Sequence, residues 1–599
     1  MREIYLPHLL KTTGGNIMER SLNIAQPLPF SSSVMDFACE ELESYLNRIF
    51  PSAVLSAKQF IFKCTPESLR FDGYRITSSG GRIEFLASCE RGFLHGVYAL
   101  LHELGCSFVF PGKSREVIPQ LTDWPLREDF MLLQEPWLEY RGLCFYNTTR
   151  KTLSKTFDTI DWMAKNGFNF LLTSIHRPDD TGCGDHAILW DEIGYFLLPE
   201  LEKRGIVIDL SEHSTDFFFP KEKLFEEHPE WFASIKGRRV PGQICYSHAK
   251  AVEAYANSIV EFAKNNRWFQ FMGIWPLDGG CFCECEKCRD PQTLFEAHRT
   301  IAGKLKEARP DITVEYLAYT PESFVRPQQP MPNNMSVLVC RTRDHIAYEW
   351  ARCARHAQGA FYFEYMTGDH YRYRSDVILN PRHSHETVNA LISYGYRGAV
   401  SLYLPLDCWF IPSLNYWYLS RLYYNPTMGI PQLHRELSAQ LFGVQFIEQG
   451  AAILQKISDE LFDPSLWSGA AHGNEWFREH ISHRCQELDR ILGRQIDAIC
   501  DQLMNCLRQL SCDVEKKYLK NVENLIDFVN LQQLYYHCVD QYDADHDTFD
   551  RAEPYFEELN RLSQKDDPPF ISERYARWRI VGRDNIFIPE QDNLFEARI

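Results

Sequence analysis

Eight short apolar runs, each followed by a helix-patterned stretch, occupy the sequence from residue 139 to residue 425. Strands that alternate with helices form parallel sheets, because each helix crosses back over a sheet face before the next strand begins. Eight such units predict the α/β class and a closed (β/α)8 TIM barrel, slightly longer than the ~250 residues typical of that fold. The runs are YRGLCFY, FNFLLTSIH, IVIDLSEH, FMGIWPLD, TVEYLAYT, MSVLVCRT, AFYFEYMT and GAVSLYLP.

The sequences on either side of this region have other patterns. ACEELESYLNRIF and ERGFLHGVYALLHELG are helix-patterned, with Gly105 as the expected end of the second helix, while GYRITSS and GRIEFLAS alternate like a strand pair around a Gly-rich turn. After the barrel the pattern is almost entirely helical, as in LHRELSAQLFG and QLMNCLRQL. We therefore expect an N-terminal α+β domain at 1–130, a TIM-barrel domain at 139–425 and a helical C-terminal domain at 426–599.

Composition and charge restrict the classes of partner. The chain of 599 residues is 45% hydrophobic, enough for a large core, and its 81 acidic against 63 basic residues give a formal net charge of -18. Such a charge repels nucleic-acid phosphates and anionic membrane surfaces. The sequence thus predicts a globular protein without nucleic-acid or membrane partners, and leaves its oligomeric state open.

Two features bear on the cellular compartment. The N-terminal stretch MREIYLPHLLKTTGG has no apolar run of the length of a signal-peptide core. The 19 cysteines are an odd number scattered along the chain, which suits a reducing compartment better than a disulfide framework. Both features favour a cytoplasmic protein, although an exported protein whose leader had been removed would have the same pattern.

Polar side chains follow most of the predicted barrel strands. In a TIM barrel the reacting groups lie on the loops at the carboxyl ends of the strands, so these residues are expected at one mouth. They are His176, Glu212, His213, Asp278, Glu322, Arg341, Arg343, Asp344, Glu364, Asp369, Asp407 and Trp409. The predicted mouth is therefore both acidic and aromatic.

Carboxylates beside aromatic rings suit sugars, because a pyranose lays its C–H faces on rings and glycosidic cleavage uses two carboxyl groups. A carbohydrate substrate is therefore the expected partner. For each single aromatic residue, ordinary packing in the barrel is the alternative. The predicted substrate-binding residues are His213, Trp275, Tyr319, Arg343, Tyr365, Tyr403, Asp407 and Trp409.

Asp278 and Glu364 form the predicted catalytic pair, at the ends of the fourth and seventh strands. Retaining barrel glycosidases commonly place their acid/base and nucleophile at those two positions. Strict alternation in FYFEYMTGDHY lets either Glu364 or Tyr365 point into the barrel. The alternatives are Glu212, Glu322 and Asp407, or a substrate-assisted reaction that needs no protein nucleophile.

Four cysteines follow Asp278 with the spacing C-x-C-x-C-x-x-C, and the pair Cys285 and Cys288 has the gap of a zinc knuckle. Cys245, in QICYSH, is the best distant partner. The sequence predicts a structural zinc held by Cys245, Cys283, Cys285 and Cys288, with disulfides or free thiols as alternatives. No cofactor is expected to be required for catalysis.

Several longer motifs resemble known families. GRIEFLASCERGFLHGVYALLHELGCSFVFPG is similar to the N-terminal domain shared by family 20 hexosaminidases and family 67 α-glucuronidases, and IDWMAKNGFNFLLTSIH to the second barrel strand of such enzymes. HPEWFASIKGRRVPGQICYSH followed by PLDGGCFCECEKC resembles the domain-of-unknown-function family 4838, part of which is glycoside hydrolase family 163. The resemblance extends over about residues 35 to 430.

This resemblance implies a barrel hydrolase of glycans that contain N-acetylglucosamine, since family 163 members are endo-β-N-acetylglucosaminidases. The Asp-Glu pair of family 20 is absent from the fourth strand, where PLDGG stands instead. Two other functions stay open. One is an α-glucuronidase-like hydrolase in which Arg341 and Arg343 clamp a uronic acid carboxylate. The other is a carbohydrate-binding barrel without catalysis.

Overall fold

The structure is a computed structural model that describes residues 23–25, 32–145, 153–173, 190–277, 281–340, 345–364, 379–403, 409–461, 495–540 and 553–565. Its strands are β1 (Asn23–Ala25), β2 (Gln59–Cys64), β3 (Tyr74–Ser79), β4 (Arg82–Ala87), β5 (Met131–Gln134), β6 (Tyr140–Phe145), β7 (Phe170–Thr173), β8 (Val207–Glu212), β9 (Phe232–Ile235), β10 (Arg238–Ile244), β11 (Phe271–Ile274), β12 (Thr313–Ala318), β13 (Met335–Val339), β14 (Ala360–Glu364) and β15 (Gly398–Tyr403).

The helices cover the barrel and form the last part of the described chain. They are α1 (Ser33–Ile49), α2 (Ser52–Leu55), α3 (Glu90–Glu103), α4 (Leu153–Lys165), α5 (Trp190–Glu202), α6 (Thr215–Phe218), α7 (Lys221–Glu227), α8 (Ala249–Asn265), α9 (Gln292–Ala308), α10 (His345–Ala354), α11 (Pro381–Tyr394), α12 (Phe410–Tyr424), α13 (Ile430–Phe442), α14 (Ile447–Glu460), α15 (Ile496–Asp513), α16 (Lys516–Asp540) and α17 (Glu553–Ser563). Within the described ranges, no helix combines the length and the hydropathy that crossing a membrane requires.

The N-terminal part is a five-stranded sheet, in the order β1-β2-β4-β3-β5, with α1 packed against α3. β3 and β4 form an antiparallel hairpin whose turn residues Gly80 and Gly81 both have positive φ, as a tight turn between twisted strands requires. Gly105 adopts a φ of 94° directly after α3, at the predicted helix end. β5 pairs with β3, so this sheet extends to Gln134, past the boundary expected at residue 130.

The predicted (β/α)8 barrel is confirmed. Strands β6, β7, β8, β11, β12, β13, β14 and β15 are all parallel to their neighbours and close into one barrel. Each of the eight apolar runs contains one of these strands. The antiparallel hairpin β9–β10 is inserted between the third and fourth barrel strands. After α12 the described residues are helical, and the other domain boundaries stay predictions.

The lower end of the barrel is closed by four aromatic rings from four strands, Tyr140, Phe170, Phe271 and Phe361. The centroids of every pair of these rings lie 5.2 to 5.6 Å apart. Glycines make room for them: a Cβ on Gly398 would lie 2.7 Å from the Phe361 ring. Because side chains alternate along a strand, the residues between these inward positions pack on the surrounding helices.

A buried carboxylate joins the N-terminal part to the barrel. Oδ2 of Asp72 accepts hydrogen bonds from Arg91 Nε at 2.7 Å, from Arg141 Nη2 of β6 at 2.7 Å and from Asn169 Nδ2 at 2.9 Å. Burial alone would raise the pKa of Asp72, but the Arg141 and Arg91 guanidinium groups outweigh it and hold that pKa well below its usual value. The junction therefore contains an ion pair that is satisfied only when both parts are in place.

Replacing Asp72 by alanine should lower the free energy of unfolding by about 3–5 kcal/mol, because the Arg141 guanidinium would stay buried without its counter-charge. Asp129→Ala is the matched control, since the Asp129 and Arg127 side chains are 71% and 83% exposed, and its cost should be below about 1 kcal/mol. Urea unfolding followed by tryptophan fluorescence measures both. Equal costs for the two variants would contradict a structural role for the buried pair.

Candidate active site at the barrel mouth

Three of the predicted substrate-binding residues lie together at the carboxyl ends of β8, β11 and β12. The His213 ring is 5.3 Å from the Trp275 ring, in an edge-on arrangement, and 6.5 Å from the Tyr319 ring. Pairing between the strands continues past their formal ends, because Trp275 N donates to the carbonyl of Glu212 at 3.0 Å. The structure thus brings together three residues that the sequence placed at strand ends, and their role in substrate binding stays a prediction.

His213 has a defined orientation in this cluster. Its Nδ1 contacts the carbonyl oxygen of Pro276. A carbonyl only accepts hydrogen bonds, so Nδ1 must be the donor, and Nε2 of the neutral ring is left with an acceptor lone pair. The backbone N–H of His213 donates to Glu212 Oε1 at 2.7 Å. The ring is thus fixed by its neighbours and can accept a hydrogen bond at Nε2.

Trp275 is buried more deeply than an aromatic residue that offers its ring face to a sugar at the surface. It is 4% exposed and belongs to the apolar cluster that fills the barrel. A Cβ on Gly273 would lie only 2.4 Å from Trp275 Nε1, so the indole occupies the space above a glycine that has no side chain. The interpretation of Trp275 as barrel packing is therefore supported for most of its surface, and only its upper edge meets His213.

Two buried carboxyl groups lie beneath the mouth, on inward positions of β8 and β12. Asp209 and Glu315 are both fully buried, and Ser211, one step up the strand, donates a hydrogen bond to Asp209 Oδ1. The backbone pairs Gly273 with both Ser211 and Glu315, which brings the three strands to one level. Sequence reasoning missed this pair, because it examined strand ends, whereas these acids stand inside VIDLSE and TVEYLA.

Above the four aromatic rings, the interior of the barrel changes from apolar to polar over two steps along the strands. Phe271, Gly273 and Trp275 occupy successive inward positions of β11 and its continuation. Phe271 is level with Asp209, and Gly273 is level with Glu315. A glycine there leaves room for the large indole to fold back over the strand, near Glu315. Water is thus excluded from Asp209 and Glu315.

Burial dominates the protonation of this pair. It raises the pKa of Asp209 to about 7, against a partly opposing hydrogen bond from Ser211. Burial also raises the pKa of Glu315 well above its usual value, and repulsion from Asp209 adds to that effect, while the Trp275 indole and the Ser211 hydroxyl oppose it. The Cys144 thiol of β6 lies near Asp209. Glu315 therefore keeps its proton more firmly than Asp209.

Glu364, one of the predicted catalytic pair, is directed away from the barrel axis. It takes the same side of β14 as Ala360 and Tyr362, which pack on the helices, whereas Phe361 and Phe363 fill the barrel. Its Oε1 lies 3.1 Å from Nε2 of His383 on α11, and both residues are buried. The sequence left open which side of the seventh strand faces the barrel interior. The structure favours the side opposite to Glu364 for substrate contacts.

The remaining predicted residues are placed as follows. Trp409 is 4% exposed, with its ring 5.1 Å from Phe110 and beneath the guanidinium of Arg115, so it packs between the N-terminal part and α12. Glu322 is exposed in the segment after β12. For Tyr403 only the backbone at the end of β15 is described. The residues that lie outside the described ranges are His176, Asp278, Arg341, Arg343, Asp344, Tyr365, Asp369 and Asp407.

The four predicted metal ligands converge. The Sγ atoms of Cys245, Cys283, Cys285 and Cys288 all lie within 4.8 Å of one another. Cys245 Sγ is 3.6 Å from the Sγ of Cys283 and 3.9 Å from those of Cys285 and Cys288. The β9–β10 hairpin supports them, because Ser234 N donates to Cys283 Sγ at 3.2 Å. A cluster of four thiols at these distances can hold a metal ion.

The fold and this site define a (β/α)8-barrel protein with a cluster of His213, Trp275 and Tyr319 at its mouth and a cluster of four cysteines. Residues 110–361 match the model of the family described as Domain of unknown function (DUF4838). The resemblance found in the sequence is thereby confirmed, and the matched segment contains the mouth residues of β8, β11 and β12 together with the four cysteines. No curated protein matches the sequence.

Solved structures share the fold over most of the chain. BtGH115A, a family GH115 4-O-methyl-α-glucuronidase with specificity for decorated arabinogalactans, has a TM-score of 0.64 and 12% identity, covering 94% of this chain and 80% of its own. A GH138 enzyme targeting pectin rhamnogalacturonan II has a TM-score of 0.55 and 11% identity, with coverages of 94% and 77%. A family 89 glycoside hydrolase from Clostridium perfringens has a TM-score of 0.52 and 13% identity, with coverages of 94% and 74%.

The buried pair predicts a measurable pH dependence. The usual pKa of Asp209 is 3.8 and its value in the folded protein is about 7, so between these two values the folded protein holds a proton that the unfolded chain releases. The contribution of this group to the free energy of unfolding is therefore complete below about pH 4 and is lost as the pH rises through about 7. Asp209→Asn removes this slope.

Urea unfolding of the wild type and of Asp209→Asn, measured from about pH 4 to pH 8, tests this directly. The stability difference between them should change in favour of the variant as the pH rises. Asp129→Asn, at an exposed carboxylate, is the matched control and should give a nearly constant difference. Parallel curves for the wild type and Asp209→Asn would show that Asp209 titrates as an ordinary exposed acid.

Proposed function

We propose that the protein is a glycoside hydrolase whose active site is the mouth of the barrel. The observation that carries this proposal is the cluster of His213, Trp275 and Tyr319 at the ends of three neighbouring strands. Glu212 adjoins His213, and Trp275 stands shortly before Asp278 in the sequence. The fold likeness to three glycosidases supports it. The substrate is a carbohydrate, whose C–H face stacks on the Tyr319 ring while a hydroxyl donates to Nε2 of His213.

In this proposal Asp278 is the general acid, which protonates the glycosidic oxygen as the bond to the anomeric carbon breaks. A second carboxylate stabilises the oxocarbenium-like charge, attacks the anomeric carbon or orients an acetamido group. Glu212 and Glu364 are the two candidates for that role, and each is the buried last residue of its strand, on the side that faces the helices. Glu212 accepts from the N–H of His213, while Glu364 contacts His383.

The preferred substrate class is a glycan that contains N-acetylglucosamine. The motifs shared with the family 4838 proteins support this choice, and the family 89 enzyme was solved in complex with 2-acetamido-1,2-dideoxynojirmycin. A uronide is the second candidate, because the structure with a TM-score of 0.64 is a 4-O-methyl-α-glucuronidase. A panel of aryl N-acetylhexosaminides, N-glycans and aryl glucuronides separates the two candidates, and the absence of both binding and hydrolysis across the panel would refute the proposal.

Asp278→Asn should lower kcat by about 10²- to 10⁴-fold while the protein stays folded, because the variant removes a proton donor at the mouth and leaves the apolar core intact. Hydrolysis rates with the best substrate of the panel, together with circular dichroism spectra, measure the two effects. Asp290→Asn, after the cysteine cluster, is the matched control and should retain activity. A kcat for Asp278→Asn close to that of the wild type would overturn the assignment.

The second carboxylate is identified by comparing Glu212→Gln with Glu364→Gln. If Glu212 acts at the mouth, its variant should lose turnover by about 10²-fold or more, and Glu364→Gln should stay within a few-fold of the wild type. The reverse order would restore Glu364 to the catalytic pair. Rescue of an alanine variant by azide would identify a protein nucleophile, and its failure with an N-acetylglucosamine substrate would favour attack by the acetamido oxygen.

We further propose that the cysteine cluster binds one structural zinc ion. Four sulfur ligands at about 2.3 Å from a tetrahedral zinc are about 3.8 Å from one another. The distances of 3.6 and 3.9 Å between Cys245 and the other three sulfur atoms fit that geometry closely. A reducing compartment, as predicted from the number of cysteines, would keep these thiols available as ligands.

Protein purified under reducing conditions should contain about one zinc per chain, because four thiolates in this arrangement bind the ion tightly. Cys245→Ser should lose the metal and lower the melting temperature. Cys281→Ser is the matched control, since Cys281 is exposed and lies outside the cluster. Elemental analysis that finds no metal in the wild type, with the fold intact, would reject the site.

A further inference from the structure

A cavity of about 460 Å³ lies at the end of the barrel opposite the candidate active site. Its wall is formed by α3 and β5 of the N-terminal part, by the turn at Asn166 and Gly167, and by α12 and α13. That turn leads into β7, so it lies at the amino ends of the barrel strands, whereas the mouth is at their carboxyl ends. The volume is within the range of about 300–1,000 Å³ that is usual for small-molecule sites. The cavity is therefore large enough to hold a ligand.

Arg421 of α12 brings a positive charge to the wall of this cavity. Within the described part of the chain its guanidinium makes one hydrogen bond, from Nη2 to Asn166 Oδ1 at 3.2 Å, and no ion pair, while Nε is buried without a partner. The guanidinium carbon lies 4.9 Å from the centre of the Trp417 ring. Burial lowers the pKa of Arg421, and the charge of Glu436 opposes only part of that effect. A guanidinium stays protonated in proteins, so this charge needs a counter-ion that no described side chain supplies by contact.

Two carboxylates line the same cavity without contacting that charge. They belong to Glu103 of α3 and Glu436 of α13. In the described ranges Glu103 has no hydrogen bond and no ion pair through its side chain, and Glu436 accepts one hydrogen bond, from Nε2 of Gln432 in its own helix at 3.2 Å. Neither acid forms an ion pair with Arg421, although opposite charges attract strongly where water is scarce. Both signs of charge are thus present in one cavity and are held apart.

The other basic groups of the wall add no free charge. The Lys165 ammonium donates to Glu116 Oε1 at 2.5 Å and also contacts Asp161, so it is already paired. Burial lowers the pKa of both His95 and His102 to about 3, which leaves the two rings neutral near neutral pH. A simple anion would be attracted by the guanidinium and repelled by the two carboxylates, and a simple cation would meet the reverse. A ligand that carries one charge of each sign is complementary to the whole wall.

We propose that this cavity binds a free amino acid with an apolar side chain, as a zwitterion. Its carboxylate lies on the Arg421 guanidinium, whose forked N–H groups match two carboxylate oxygens, and its ammonium lies toward Glu103 and Glu436. Its side chain packs on the apolar part of the wall, which includes Ala99, Leu132 and Met428. Because the cavity is at the opposite end of the barrel from the mouth, this inference does not rest on the proposed function.

Calorimetric titration of the full-length protein with L-leucine, L-methionine and L-phenylalanine tests the site. At least one of them should bind with a Kd of about 1 mM or lower. Analogues of that amino acid without the ammonium or without the carboxylate should each bind at least about tenfold more weakly, because each loses one charge contact. Absence of binding by all three at about 10 mM would overturn the proposal. Equal affinity for the analogue without the ammonium would also overturn it, since the site would then accept simple anions.

Variants place the bound amino acid in this cavity. Arg421→Met removes the charge and keeps a similar length, so the Kd should rise at least about tenfold, and Glu103→Gln should raise it about threefold or more. Arg435→Met is the matched control, because Arg435 of α13 is 57% exposed, is paired with Glu448 and does not line the cavity. Wild-type affinity in either Arg421→Met or Glu103→Gln would overturn the proposal.

Thermal unfolding gives a second measurement. The best amino acid, at about ten times its Kd, should raise the melting temperature of the wild type and of Arg435→Met and leave that of Arg421→Met nearly unchanged. An equal rise in the wild type and in Arg421→Met would place the ligand elsewhere and contradict the proposal. Should Arg421→Met fail to fold, the Kd of Glu103→Gln decides, because Glu103 is exposed and its replacement leaves the core intact.

Discussion

Closure of the eight-stranded barrel around one layer of aromatic rings is the constraint on which the other features depend. Tyr140, Phe170, Phe271 and Phe361 are in mutual contact across the axis, and this is possible only because glycines on neighbouring strands leave space for them. The rings close the lower end of the barrel. The layers above them can therefore differ in character, and any cavity must open toward the upper mouth.

The pattern of apolar runs and the positions of the strand ends explain what could be predicted from the sequence. Each barrel strand is buried on both faces, so it stands out as a continuous apolar run, and the residue that follows it must lie at the mouth. That reasoning found all eight strands and grouped His213 with Trp275 and Tyr319. The cysteine cluster was also predictable, because two short gaps and one upstream cysteine match the spacing of a metal site.

The errors have physical causes as well. Continuous apolar runs carry no alternation, so the sequence could not show which side of β14 Glu364 takes, and a contact with His383 nineteen residues later decides it. Asp209 and Glu315 were missed because a single acid within an apolar run gives no sign of a second one on a non-adjacent strand. The Asp72 junction depends on contacts with β6 and with the start of β7, which are distant in sequence and meet only in the folded barrel.

The cysteine cluster is connected to the barrel mouth by the polypeptide segment that lies between the two. The side chain of Gln243 on β10 makes two hydrogen bonds with the backbone of Leu277. It accepts from the N–H at 3.3 Å and donates to the carbonyl at 3.5 Å. Two residues after Gln243, Cys245 meets Cys283 in the cluster. The β9–β10 hairpin therefore contacts the described residues Leu277 and Cys283, which stand before and after Asp278 in the sequence. Under the proposed function, loss of a metal from the cluster would release the chain on one side of Asp278, so the cluster and the proposed acid are linked through the polypeptide itself.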